Sequence, residues 1–178
     1  TPTTPSNVVQ RTQTSRGDVE ARFDEADVIV ERTFVTPMVH QGYIEPHACV
    51  GNATEDGQAT VWCSSQGHFD VRSMTALALG KDLGDIRVIA AEIGGGFGGK
   101  TTIYLEPLAV KLSEKCQRPV KMVMSREEVF RATGPASGTI NTVRIGAKND
   151  GTIVAMSAKL IYESGAYPGS PLGAGSMC

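Results

Sequence analysis

The stretch Glu92-Ile93-Gly94-Gly95-Gly96-Phe97-Gly98-Gly99-Lys100-Thr101 constrains this chain more than any other, because five glycines fall in six positions around a single aromatic ring. A run of this kind does not pack as a regular element. Lacking Cβ atoms, it lets main-chain N–H groups face outward together and lets a bulky ligand approach the backbone. Residues 86–93 before it are β-branched and bounded, as in a strand. After it, Ile103, Leu105, Leu108, Ala109 and Leu112 recur at helical spacing over 101–117, with Pro107 predicting a kink or a start near that residue. Strand, glycine loop and helix together aim amides and a helix N-terminus at an anion.

Three readings of the loop are open. Gly94-x4-Gly99-Lys100-Thr101 fits the phosphate-binding pattern G-x-x-x-x-G-K-[ST]. Gly94, Gly96 and Gly99 also satisfy G-x-G-x-x-G, which a loop this rich in glycine meets by accident. The third is a tight connection without a ligand, for which one or two glycines suffice. A nucleotide phosphohydrolase further requires an Asp ending a separate apolar strand to hold magnesium. Residues 120–124 run instead into Ser125-Arg126, and Asp27 precedes its strand, so the requirement is unmet.

The net charge of −2, with acids and bases interspersed, gives no sign of a nucleic-acid surface. No apolar run approaches the ~20 residues of a bilayer span. At 178 residues the chain suits one domain; beginning at Thr1 and ending at Cys178 without a closing element, it reads as a piece of something longer. Cys49, Cys63, Cys116 and Cys178 form no C-x-x-C pair, which favours reduced thiols in a cytoplasmic protein over a metal or disulfide framework.

Residues 1–16 read as a linker and 17–178 as the folded part. Asp18 can cap a short helix reaching Ala26, and 28–35 is a strand followed by a polar turn over 36–48. A hairpin joins 49–53 to 59–64, a helix over 67–79 ends at Gly80, and 119–124 is a strand. A second hairpin joins 139–147 to 152–161 through Asn149-Asp150-Gly151, and 163–171 is loop. A repeated βαβ wind is absent, so the expected class is α+β, with mixed and antiparallel sheets, hairpins and two to three helices.

Gln66, between the strand at 59–63 and the next helix, reads by composition as a solvated turn residue. Its crossing and the glycine loop can nevertheless open at one sheet edge, where ligands bind in α/β arrangements. Phe97, flanked by glycines, has no regular face and suits covering a ligand. Lys100 is either a phosphate contact or an ordinary exposed lysine. Arg126, Glu127 and Glu128 read as a solvated strand end. His40, His47 and His68 lack paired metal-ligand spacing and suit turn or capping roles, and Glu45 suits a hydrogen bond to backbone.

Over residues 17–167 the chain resembles the molybdenum-binding large subunit of the xanthine dehydrogenase and aldehyde oxidase (molybdenum hydroxylase) family. The resemblance is carried by Gly17-Asp18-Val19-Glu20-Ala21, Glu31-Arg32-Thr33-Phe34, Gln41-Gly42-Tyr43-Ile44-Glu45-Pro46 and Ser65-Gln66. It continues through the loop from Gly94 to Lys100, Arg118-Pro119-Val120, Ser125-Arg126-Glu127-Glu128 and Ser164-Gly165-Ala166-Tyr167. It implies part of a molybdopterin-binding domain, truncated at its C-terminal end. By the same resemblance Gln66 hydrogen-bonds an oxygen ligand of the molybdenum, and Gly95, Gly96, Phe97 and Gly98 pass beside metal and pterin.

The implied activity is hydroxylation of a small molecule with water as oxygen source, electrons leaving through iron–sulfur clusters toward flavin on partner domains or subunits of an oligomeric enzyme. No protein residue of the chain is implied as a metal ligand. The family's general-base glutamate lies beyond residue 178, so the chain alone is expected to be inactive and empty of cofactor. Thr101 stands where xanthine-oxidising members carry a substrate-binding glutamate, which argues against purines and leaves an aldehyde, N-heterocycle or aromatic thioester. The competing readings are a phosphohydrolase using the glycine loop for nucleotide and a non-catalytic assembly module.

Overall fold

The computed structural model describes residues 7–165. In chain order the elements are α1 (Val19–Phe23), β1 (Val28–Thr36), β2 (Ala48–Ala53), β3 (Ala59–Cys63), α2 (His68–Leu79), a 3-10 turn (Leu83–Asp85), β4 (Ile86–Ala90), α3 (Glu106–Cys116), β5 (Val120–Val123), α4 (Arg126–Ala132), β6 (Thr139–Ala147) and β7 (Ile153–Tyr162). They form two compact units, one from residues 1–39 with 137–178 and one from 40–136, a division that no composition shift marks.

In the first unit β6 lies between β1 and β7 in an antiparallel sheet. The hairpin turn is as the sequence suggests: Gly151 has φ +90° and Thr152 N–H donates to Asp150 Oδ1 at 2.9 Å. Asp18 caps α1 by accepting from Ala21 N–H at 3.1 Å, and Phe23 is buried against Gly146.

The second unit holds a four-stranded mixed sheet in the order β4-β3-β2-β5, with β3 and β4 parallel and the other pairs antiparallel. Alternation along β2 and β3 sends Cys49, Ala53, Ala59, Val61 and Cys63 to one buried face, which α2 and α3 cover through Val71, Ala76, Ala109 and Val110. Burial pushes both Cys49 and Cys63 thiols up to about 12, so they stay neutral core groups. Among the described residues no helix is long and apolar enough to cross a membrane.

The class is α+β as expected, with two local differences, the end of β4 and an added helix. The strand after the 3-10 turn stops at Ala90, not Ile93, because β3 ends at Cys63 and its carbonyl receives a last bond from Ala91 N–H at 2.9 Å. As Pro107 predicts, the helix after the glycine loop starts at Glu106, with Pro107 in its first turn, where a missing N–H costs nothing.

Arg126, Glu127 and Glu128 are not a solvated strand end. They open α4, a fourth helix beyond the two to three expected. Ser125 and Glu128 form a reciprocal capping box, with Glu128 N–H to Ser125 Oγ at 3.2 Å and Ser125 N–H to Glu128 Oε2 at 2.7 Å. Ser125→Ala is expected to cost about 1 kcal/mol in urea unfolding. A variant as stable as the parent would show that α4 is held by its packing alone.

Candidate functional site

Because β3 and β4 run parallel, their C-terminal ends share one edge of the sheet, and the segments that leave them lie side by side. The segment from β3 carries Ser65 and Gln66; the segment from β4 carries the glycine loop. Gln66 N–H donates to Lys100 C=O at 2.8 Å, and Lys100 N–H returns to Gln66 Oε1 at 3.1 Å. The same oxygen takes Gly98 N–H at 3.0 Å. Two N–H donors on one side-chain atom identify it as the carbonyl oxygen, so the Gln66 amide nitrogen, a double donor, is the end without a bond to the described residues. Ser65 Oγ supports the turn by donating to Lys100 C=O at 3.2 Å and accepting from Gly67 N–H at 3.0 Å.

The glycines are explained by close approach. A Cβ on Gly96 would stand 2.5 Å from Gln66 Oε1, and one on Gly99 would stand 2.7 Å from Tyr43 Cε1. The loop is folded onto a floor made by residues 41–47 and the side chain of Gln66. Its N–H groups at Gly94, Gly98, Gly99 and Lys100 are bonded internally, whereas those of Gly95, Gly96 and Phe97 meet no acceptor among the described residues. Phe97 adopts φ +50° and its ring is 73 % exposed, an apolar surface beside these free donors. Thr101 hydroxyl donates to Gly98 C=O at 3.1 Å and closes the loop's far end.

Lys100 fits neither expectation. Its side chain is 0 % exposed and its ammonium sits 2.6 Å from Glu45 Oε2 and 5.1 Å from the Tyr43 ring centroid. A lysine sealed in this way cannot reach a phosphate, and the nucleotide reading loses its principal side chain. Glu45 does bond backbone, accepting Gly94 N–H at 2.7 Å, but it pairs Lys100 as well. Burial pushes the Glu45 carboxyl up; the Lys100 and Gly94 hydrogen bonds outweigh that and hold it below its ordinary value.

Beneath the loop lies a polar and aromatic cluster that spacing could not reveal. Gly42 N–H donates to His40 Nδ1 at 3.0 Å, which leaves Nε2 of a neutral His40 as the donor to Thr133 Oγ1 at 2.9 Å; Thr133 in turn donates to Val129 C=O at 2.6 Å. Tyr43, 1 % exposed, places its hydroxyl 2.7 Å from His47 Nε2. His47 is buried, and burial first, then the Lys100 charge, bring its pKa down to about 4, so at neutral pH it is an uncharged partner of the Tyr43 hydroxyl. Arg126 donates to the carbonyls of Tyr43, at 2.9 Å, and of Ile44, tying α4 to the floor segment. His68 begins α2 and takes no part in the floor. The only advance signal for these residues is the density of polar and aromatic side chains in 40–47, which periodicity does not sort.

The chain matches the family described as the molybdopterin cofactor-binding domain over residues 1–177. It therefore belongs to that family. The nicotinate dehydrogenase large molybdopterin subunit of Eubacterium barkeri is 34 % identical over 166 residues, 91 % of this chain and 38 % of that protein. The xanthine dehydrogenase molybdenum-binding subunit of Escherichia coli is 32 % identical over 162 residues, covering 90 % and 22 %. Among solved structures, the aldehyde oxidoreductase from Desulfovibrio gigas superposes with a TM-score of 0.67 at 28 % identity, over 82 % of this chain and 16 % of that one. This chain thus spans well under half the length of these relatives.

The loop fits such a group. Its unbonded amides and the Gln66 amide nitrogen are donors for a ligand rich in acceptors. Among the described residues no three His, Cys, Asp or Glu side chains gather as metal ligands.

Proposed function

We propose that this chain supplies part of the molybdopterin site of an oxidoreductase that hydroxylates an aldehyde or aromatic heterocycle with oxygen from water and passes electrons to iron–sulfur and flavin partners. One observation carries the proposal: Gln66 turns its oxygen into the glycine loop and leaves its amide nitrogen free beside the unbonded N–H groups of Gly95, Gly96 and Phe97. When bound, the cofactor supplies the oxygen-transfer and two-electron chemistry.

The protein's part is orientation. The Gln66 nitrogen donates a hydrogen bond without adding charge, Gly95 and Gly96 let the loop close onto Tyr43 and Gln66, Gly98 N–H holds the Gln66 oxygen, and the Phe97 ring excludes water from one side. Thr101, whose hydroxyl donates to Gly98 C=O, offers no carboxylate for a purine, which favours an aldehyde or another aromatic heterocycle. No catalytic base is assigned within the described residues. In favour of this reading stand the family membership and the relatives named as dehydrogenases and oxidoreductases. The burial of Lys100 disfavours the nucleotide alternative.

The test is the protein purified from its native cell with whatever copurifies, assayed for molybdenum, pterin and aldehyde or heterocycle oxidation. Gln66→Glu keeps the acceptor for Gly98 and Lys100 but loses the donor, and is expected to lower turnover roughly 10- to 100-fold. Protein without molybdenum, or undiminished turnover in this variant, would refute the assignment.

A further inference from the structure

We propose that Glu45 is a positioning residue for the cofactor-binding loop, clamping both ends of the glycine run so that Gln66 and the free amides are held ready for molybdopterin. This rests on the function proposed above. A single oxygen, Glu45 Oε2, accepts Gly94 N–H at 2.7 Å and the Lys100 ammonium at 2.6 Å. Gly94 and Lys100 bracket the residues that carry the free donors, so one carboxylate closes the loop across its neck. Glu45 N–H also donates to Gly94 C=O at 3.3 Å, making the Gly94 attachment two-stranded.

The Lys100 attachment reaches the site directly. The residue whose charge Glu45 neutralises is the one whose main-chain N–H and C=O fix Gln66, at 3.1 and 2.8 Å. Glycines surrender more conformational freedom on ordering than any other residue, so a loop holding five of them needs an attachment stronger than its own turn. The clamp is charged and shielded, with Glu45 31 % exposed and Lys100 not at all. Arg126 holds the carbonyls of Tyr43 and Ile44, and so fixes the segment from which Glu45 projects. Taking away either charge leaves the other partly desolvated without its counter-ion.

The experiment compares parent, Glu45→Gln, Lys100→Met and the double variant by amide hydrogen exchange on cofactor-free protein and by molybdenum content on protein as isolated. In Glu45→Gln the Gly98 and Lys100 amides are expected to exchange roughly tenfold faster while Val61 in the core is unchanged. Molybdenum content is expected to fall roughly tenfold in the same variant. The double variant strands no buried charge but also lacks the ion pair across the neck, so its loop is expected to stay loosened and its molybdenum content low while Val61 is unchanged. Unchanged loop exchange in Glu45→Gln, or parental loop exchange in the double variant, overturns the proposal. If Glu45→Gln does not fold, Lys100→Met and the double variant carry the same comparison. Absence of molybdenum from the parent would refute the proposed function and leave the exchange comparison to decide the clamp.

Discussion

Gly51→Ala is expected to destabilise the 40–136 unit by about 2–3 kcal/mol, the upper part of the range for overpacking a close-packed core. Gly51 lies on the buried face of β2, where α3 crosses it, and an added Cβ would stand 2.7 Å from both Ala109 C and Val110 N. These are backbone atoms of a helix, so no rotamer change relieves the contact; α3 must move away from the sheet. That movement would also strain Ser113 Oγ, which accepts from Ala53 N–H at 2.9 Å and donates to Arg118 C=O at 2.7 Å. Urea unfolding measures the effect as a lower midpoint at an unchanged slope. Gly84→Ala serves as the control, because a Cβ there meets nothing within 4 Å. A Gly51→Ala variant within about 0.5 kcal/mol of the parent would show that α3 is free to shift on the sheet.

Acid is expected to remove a further contribution of similar size, through His47. The folded unit keeps this imidazole neutral down to about pH 4, because it is buried and faces the Lys100 charge. The unfolded chain protonates it near pH 6.5. Between those values the unfolded state binds more protons, so stability is complete above pH 6.5, declines as pH falls through the window and is lost below about 4. At 1.36 kcal/mol per pH unit the change approaches about 3 kcal/mol. Glu45 acts in the same sense at lower pH: its carboxyl is held below the ordinary value, so its stabilising effect, present at neutrality, disappears as pH falls through its folded pKa. Unfolding free energies at pH 7 and pH 4 for parent and His47→Gln test this, since the variant cannot take up that proton. Equal losses in the two would assign the acid sensitivity to other groups.

Much of this molecule was legible from residue order, and for local reasons. Asp18 capping α1, Gly80 ending α2 at φ +64°, Pro107 opening α3 and Gly151 turning the β6–β7 hairpin each act within a few residues of themselves. The capping box at Ser125 and Glu128 was equally local, and α4 could have been found from it. Strand alternation likewise exposes which face of β2 and β3 is buried. What spacing leaves open is any choice that depends on a partner far along the chain. Lys100 reads as a phosphate ligand or a surface residue until Glu45, 55 positions earlier, is seen to neutralise it.

The glycine run by itself determined that a backbone loop would be exposed to close approach, because no side chain stands in the way, and the order of motifs around it determined the family. Tertiary structure alone decided what the loop rests on and which of its donors are free. Pairing β3 with β4 brings Gln66 against Gly98 and Lys100, 32 and 34 residues away, and spends some amides internally while leaving others. The reason is physical: a hydrogen bond or ion pair has no signature in the linear order of its partners, and which groups remain unbonded is settled only when the folded chain has satisfied the rest.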